Sequence, residues 1–275
     1  GASGYRFGGG GSTLTVQTDL NGANAVTIGA TGSAGTVILS AANTYTGATT
    51  VAGGILRLNH PNALGTTAGV TTVNAGATLD LNGQTVGEGF TLSGSGVNGM
   101  GALVNTSATP AAITGVLTQG TTSFRVGGTG DITLDRVTGG AMTITKNGTG
   151  TLTLTGTLDN NSVGLMVNNG TVVLGLQSGS GAHAFGNASY VNTGAVLRLA
   201  GSGADQIYDG ASLYLDGGVL DMAGKSEVIG SLLTTSPHIL GTVVNNTDAT
   251  TSLLTLGGTV SNLSGVFRGG RAARR

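Results

Sequence analysis

Three short phrases recur along this chain: Gly54-Ile55-Leu56-Arg57-Leu58, Gly76-Ala77-Thr78-Leu79-Asp80-Leu81 and Gly194-Ala195-Val196-Leu197-Arg198-Leu199. In each, a glycine opens a short strand whose apolar residues alternate with a charge, so one small strand is being made repeatedly. The return is regular. Gly35, Gly54 and Gly76 stand 19 and 22 residues apart, and Gly130, Gly150, Gly170, Gly194 and Gly218 stand 20, 20, 24 and 24 apart. Such an interval fits one coil of a β-solenoid. A leucine-rich horseshoe has a similar period but needs a fixed Leu/Asn consensus that is missing here. A sandwich would place turn signals every 8 to 12 residues or so without the longer return.

Alternation within the strands points both leucines of Leu79-Asp80-Leu81 into the coil and Asp80 toward water, with Arg57 and Arg198 at the equivalent outward position. Asn82-Gly83, Asn147-Gly148, Asn169-Gly170 and Asp216-Gly217 fall between strands, where a corner needs positive φ. These pairs also suit two-residue hairpin turns, but hairpins leave the 20-residue return unexplained. At about 22 residues per coil, residues 12 to 267 predict eleven or twelve coils. No stretch keeps apolar residues at helical spacing over three turns, so almost no helix is expected.

Composition supports a folded but weakly charged chain. There are 53 glycines among 275 residues, no Cys, no Trp and 8% charged residues, while Val, Leu and Ile are abundant enough to fill a narrow core. A surface of Thr, Ser, Asn and Ala is a poor electrostatic match for nucleic acid or anionic lipid. The absence of cysteine suits export through a bacterial envelope. No apolar run is long enough for a transmembrane helix, so no membrane insertion of this chain is expected. Residues 1–11 hold little apolar matter besides Tyr5 and Phe7 and read as a lead that is flexible or ordered by a partner. The segment 268–275 is a basic tail: Arg268, Arg271, Arg274 and Arg275 are four of the eleven basic residues. The chain opens on Gly1 without a signal-peptide pattern, which reads as a mature product or an excised piece.

Two stretches share one order of elements. The first runs Gly35-Thr36-Val37-Ile38-Leu39, Val51, Gly54 to Leu58, Ala63-Leu64-Gly65 and Val73 to Leu81; the second runs Gly150 to Leu154, Val167, Gly170 to Leu174, Ala184-Phe185-Gly186 and Val191 to Leu199. The segment Gly35 to Leu58, GTVILSAANTYTGATTVAGGILRL, followed by Asn62-Ala63-Leu64-Gly65, resembles the autotransporter-associated β-strand repeat, whose members read approximately GTLTLSGxNTYTGxTTVxxGTLxL and then Ala-Leu-Gly. In the second copy Asn160-Asn161-Ser162 replaces the Asn-Thr-Tyr-Thr-Gly phrase. The resemblance implies an all-β, right-handed parallel β-helix, a single-stranded solenoid, over 12–267. It also implies a passenger of the bacterial type V secretion route, secreted or held at the cell surface. Nothing after residue 260 is long enough for a membrane β-barrel, so the expectation is a passenger without one.

Both ends of a solenoid expose unpaired backbone and apolar stack, and no amphipathic helix is available to cap either. Assembly with copies of itself, end to end, is therefore the expected partnership, with Tyr5, Arg6, Phe7, Phe267, Arg268 and Arg271 as candidate contacts. Arg274 and Arg275 resemble the product of a trypsin-like cut. A monomeric adhesin binding glycans, or host or matrix surfaces, is the alternative, and a polysaccharide-active enzyme a third reading.

Enzymatic residues are sparse. Glycoside hydrolysis needs two carboxylates facing one substrate, and the nearest candidates are Asp216 with Asp221 and Asp205 with Asp209, all read as solvated corners. His60, His183 and His238 lie far apart along the chain and read as surface residues. Gly127 to Ile132 approaches a calcium-binding nonapeptide, but Asp131 is one position early and the phrase occurs once. No Gly-x-Ser-x-Gly elbow occurs. Tyr45, Tyr190, Tyr208 and Tyr214 are placed on loops or outer faces. No catalytic residue, metal or cofactor is expected.

Overall fold

The computed structural model describes residues 4–177, 181–202, 205–235, 241–247 and 250–258, and the backbone alone at 267–268. The protein is all-β, with parallel strands stacked as a β-solenoid of about ten turns. Among the described residues the one helical element is a single 3-10 turn at Val97–Gly99. Two compact units emerge, residues 1–138 with 147–150 and residues 139–146 with 151–275.

In the first unit, two ladders alternate along the chain. One joins Thr13–Val16, Thr36–Leu39, Ile55–Leu58, Thr78–Asp80 and Leu103–Asn105. The other joins Tyr5–Phe7, Val26–Ile28, Thr49–Val51, Val70–Val73 and Gly89–Gly94. The 18-residue strand Ala111–Gly128 continues both, through Phe90↔Leu117 and Leu103↔Val126. Register places like on like: Val37, Leu56 and Leu79 form one inward column and Ile28, Val51 and Val73 another, all at most 1% exposed. Each buried aliphatic side chain of such a column contributes about 1.5–3 kcal/mol.

The second unit repeats the scheme. Met142–Lys146, Val163–Val167, Ser189–Asn192, Ser212–Asp216 and Ser231–Leu233 form one ladder. Thr151–Leu154, Thr171–Leu174, Val196–Leu199, Val219–Asp221, Thr242–Val244 and the backbone of Phe267–Arg268 form the other. Glu227–Ile229 pairs separately with Leu254–Leu256. The column Leu152, Val172, Leu197 and Leu220 is fully buried.

Two expectations are corrected. About ten turns replace the eleven or twelve expected, because coils in the 89–128 region lengthen: Phe90 pairs with Leu117, well beyond a 22-residue return. The lead also contains a strand. Tyr5–Phe7 pairs in parallel with Val26–Ile28, Tyr5 N donating to Ala25 O at 2.8 Å and Gly29 N to Phe7 O at 2.7 Å. The Tyr5 and Phe7 rings stack at 6.2 Å. Low apolar content is no obstacle where a finished ladder edge supplies the hydrogen bonds.

Candidate functional site

The first copy's Asn43 is 4% exposed and bridges coils: its Oδ1 accepts Leu20 N at 2.8 Å and its Nδ2 donates to Ala63 O at 2.6 Å. Its backbone N donates to Asn62 O, just as Asn160 N donates to His183 O in the second copy. Asn160 is therefore the structural counterpart of Asn43, although the phrase around it differs. Gly65 and Gly186 correspond as well. A Cβ on Gly65 would strike the Tyr45 carbonyl oxygen, and one on Gly186 that of Asn161, so the Ala-x-Gly phrase marks close backbone approach.

The charged residues of the strand phrases do not simply face water. Arg57 and Asp80 are register partners, with Nε to Oδ2 at 2.8 Å, and Asp80 is 1% exposed. Asp80 also accepts Asn82 N (3.0 Å), Thr106 N (3.2 Å) and Thr106 Oγ1 (2.7 Å). Asn105 completes the corner: its Oδ1 accepts Gly83 N and Ser107 N, and its Nδ2 donates to Thr109 O and Asp131 O. The same clasp recurs in the second unit. Arg198 Nε meets Asp221 Oδ2 at 2.8 Å, Asp221 accepts Ala223 N, Asn246 N and Asn246 Nδ2, and Asn245 takes the place of Asn105. Burial alone would raise the Asp221 carboxyl, but Arg198, Asn246 and Ala223 outweigh it and hold the group below the usual carboxylate range. Positive φ at Asn82 and Gly83 and at Ala223 and Gly224 turns the chain around each carboxylate.

Two of the four carboxylates considered for hydrolysis are engaged at corners. Asp221 is locked to Arg198, and Asp216 accepts Thr234 Oγ1, Thr235 N and Thr235 Oγ1 at 2.7–3.0 Å. Asp209 is exposed on a turn.

His183 is a correction. It is 8% exposed, because coil stacking covers the loop that carries it. Its Nδ1 lies 2.9 Å from Asp159 Oδ1 and its Nε2 3.4 Å from Asp205 Oδ2, with the Tyr208 ring edge-on at 5.3 Å. Burial pulls Asp159 upward, yet the hydrogen bonds and charge of His183 prevail and keep its carboxyl low. In the next coil Glu227, 2% exposed, accepts Gln206 N at 2.9 Å and Val228 N at 3.2 Å. Burial pushes it up to about 8, opposed by these amides and helped by the charge of Asp205. His60 is partly exposed, its Nδ1 accepting Asn62 N, and His238 lies outside the described residues. Among the described residues no group of three or more His, Asp or Glu side chains is arranged to hold a metal ion.

Tyr45 is also corrected: it is fully buried, its hydroxyl 2.7 Å from Thr49 Oγ1, and burial pushes its phenol upward. Tyr190 and Tyr214 do lie outward, stacked at 4.6 Å and 12° on adjacent strands. Stacking gives one face of each ring to the other and leaves the pair half-buried. Tyr5 and Phe7 are half-buried and Arg6 is exposed. Phe267 and Arg268 contribute a backbone strand, while Arg271, Arg274 and Arg275 lie outside the described residues.

Parallel ladders, inward aliphatic columns and corner clasps repeated across coils define a β-helix repeat protein. Residues 31–58 and 144–174 match the family model described as passenger-associated-transport-repeat. The second match spans the copy lacking the Asn-Thr-Tyr-Thr-Gly phrase, as the equivalence of Asn43 and Asn160 anticipates. Matches and fold together fit an autotransporter passenger-like β-helix repeat protein. No curated protein and no solved structure matches the chain. No helix among the described residues is long and apolar enough to cross a membrane.

Proposed function

We propose that this chain is a structural passenger, secreted or displayed at the cell surface, that assembles end to end with copies of itself into a fibre or surface layer. The observation that supports it is the uncovered end of an inward column. Leu14 is 37% exposed, whereas Val37 and Leu56 behind it are 1% and 0% exposed. Thr13–Val16 and Tyr5–Phe7 each pair on one edge only among the described residues. An open parallel edge above an uncovered apolar stack accepts another strand with matching register. The carboxylates Asp216 and Asp221 act in corners, which fits a non-catalytic role.

Electron microscopy and light scattering over a concentration series test this reading. Regular filaments, lost on deleting residues 1–11 or on Leu14→Asp while the β circular dichroism persists, are expected. Isolated short particles at every concentration would refute it. A monomeric adhesin is the second reading, favoured by the half-buried outward column Met166, Tyr190, Tyr214 and Leu233; retention of glycans by a monomer, lost in Tyr214→Ser, would select it.

A further inference from the structure

Four ionisable side chains, each from a successive coil, meet along one corner of the second unit: Asp159, His183, Asp205 and Glu227. Backbone bonds run beside them, from Asn160 N to His183 O, Ala184 N to Gln206 O and Glu227 N to Leu253 O. We propose that this column is a pH-gated clasp, holding successive coils together while it keeps its protons and letting the last of them part as it loses them.

The geometry at His183 carries the argument. Asp159 from the preceding coil faces one ring nitrogen, Asp205 from the following coil faces the other, and Tyr208 from that following coil packs against the ring. An imidazolium donates to both carboxylates, whereas a neutral imidazole carries one N–H and turns a lone pair toward the other. Asp205 has little to compensate the loss, since its Oδ1 is buried without a hydrogen-bond partner among the described residues. The charge facing Glu227 is again Asp205, and Glu227, held protonated up to about 8 by burial, ionises as the pH passes that value. With the imidazole neutral and Glu227 ionised, the column carries three negative charges in place of one, across coils with no facing cation among these groups. Glu227 opens the strand Glu227–Ile229, whose one strand partner among the described residues is Leu254–Leu256, a partly exposed strand. That pair is where the coils part first. Acid sets the other limit: the Asp159 contribution is lost as the pH falls through its lowered value.

The test is hydrogen exchange of the amides in Glu227–Ile229 and Leu254–Leu256 between pH 5.5 and 8.5, corrected for intrinsic rates, in the wild type, His183→Gln and Glu227→Gln. Opening of these amides in the wild type is expected to rise with pH, by up to about tenfold per unit for each proton released. Each substitution should flatten that rise. An identical pH dependence in all three proteins would overturn the proposal. Asp205→Asn, at a partly exposed position, gives an independent reading if either glutamine variant fails to fold. Removing the charge that faces both His183 and Glu227 should likewise flatten the rise, and an unchanged rise would also overturn the clasp.

Discussion

Glu88→Gln should stabilise the first unit at neutral pH and leave it nearly unchanged in acid. Glu88 lies between Thr85–Val86 and Gly89–Gly94 with its carboxyl in the core, 5% exposed. Burial pushes it up to about 8; the neighbouring Thr71 hydroxyl favours the ionised form too weakly to prevent this, and both Glu88 Oε1 and Thr71 Oγ1 lack a completed hydrogen bond. Because the folded value lies above the unfolded one near 4.5, the associated stability is fully present below pH 4.5 and is lost as the pH rises toward 8. Across that window the native state holds a proton that the unfolded chain releases, at 1.36 kcal/mol per unit. Between pH 5 and 7.5 the wild type should lose about 3 kcal/mol from this group. Glutamine keeps the shape and removes the titration. Urea unfolding at the two pH values, followed by the β circular dichroism, measures the difference. Glu227 titrates in both proteins and cancels. A gap between variant and wild type that is the same at pH 5 and 7.5 would refute the reasoning.

Asp80→Ala should cost about 3–5 kcal/mol in a denaturant melt, since it leaves Thr106 N and Asn82 N without their acceptor, and Arg57→Ala should cost a comparable amount, since it leaves the buried Asp80 carboxylate without its cation. Asn43→Ala leaves Leu20 N and Ala63 O unpaired between coils and should cost about 2–3 kcal/mol by the same measurement. Gly65→Ala combines a clash with the Tyr45 carbonyl and a φ of +79°; a drop of several degrees in Tm is expected, against none for Ala at the unobstructed and negative-φ Gly8.

The solenoid was legible because its cause is periodic. Glycine-opened strands return once per coil, and alternation within Leu56-Arg57-Leu58 or Leu197-Arg198-Leu199 assigns the inward leucines correctly. What alternation cannot show is what later folds over an outward residue. Asp80 is outward by position, yet the strand Leu103–Asn105 and Thr106 arrive over twenty residues later to cover it. His183 is hidden in the same way, since it reads as a loop residue until Asp159 and Asp205 close on it from neighbouring coils. Tyr45 could have been read better: a tyrosine followed four residues later by Thr49, within a phrase repeated across a family, is a reasonable buried hydroxyl pair.

The two clasps bear on what the repeat encodes. Aligning Gly54 to Leu58 with Gly170 to Leu174 matches Arg57 to Val173, and Val173 has Arg198 rather than an acid as its register partner. The second clasp is built one coil later, from Arg198, Asp221 and Asn245, outside the stretch that matches the family. Its parts are nevertheless the same: an arginine on one strand, an aspartate ending the next, positive φ two residues on, and an asparagine one coil further. The clasp therefore follows the corner and not the repeat. A coil that turns on two successive positive-φ residues leaves amides pointing inward, and a buried carboxylate with one guanidinium partner satisfies them without adding net charge. Transplanting Arg and Asp to Val173 and Arg198 should then fail to stabilise unless positive φ is also created two residues after the new aspartate, where Ala200 now continues the chain without it.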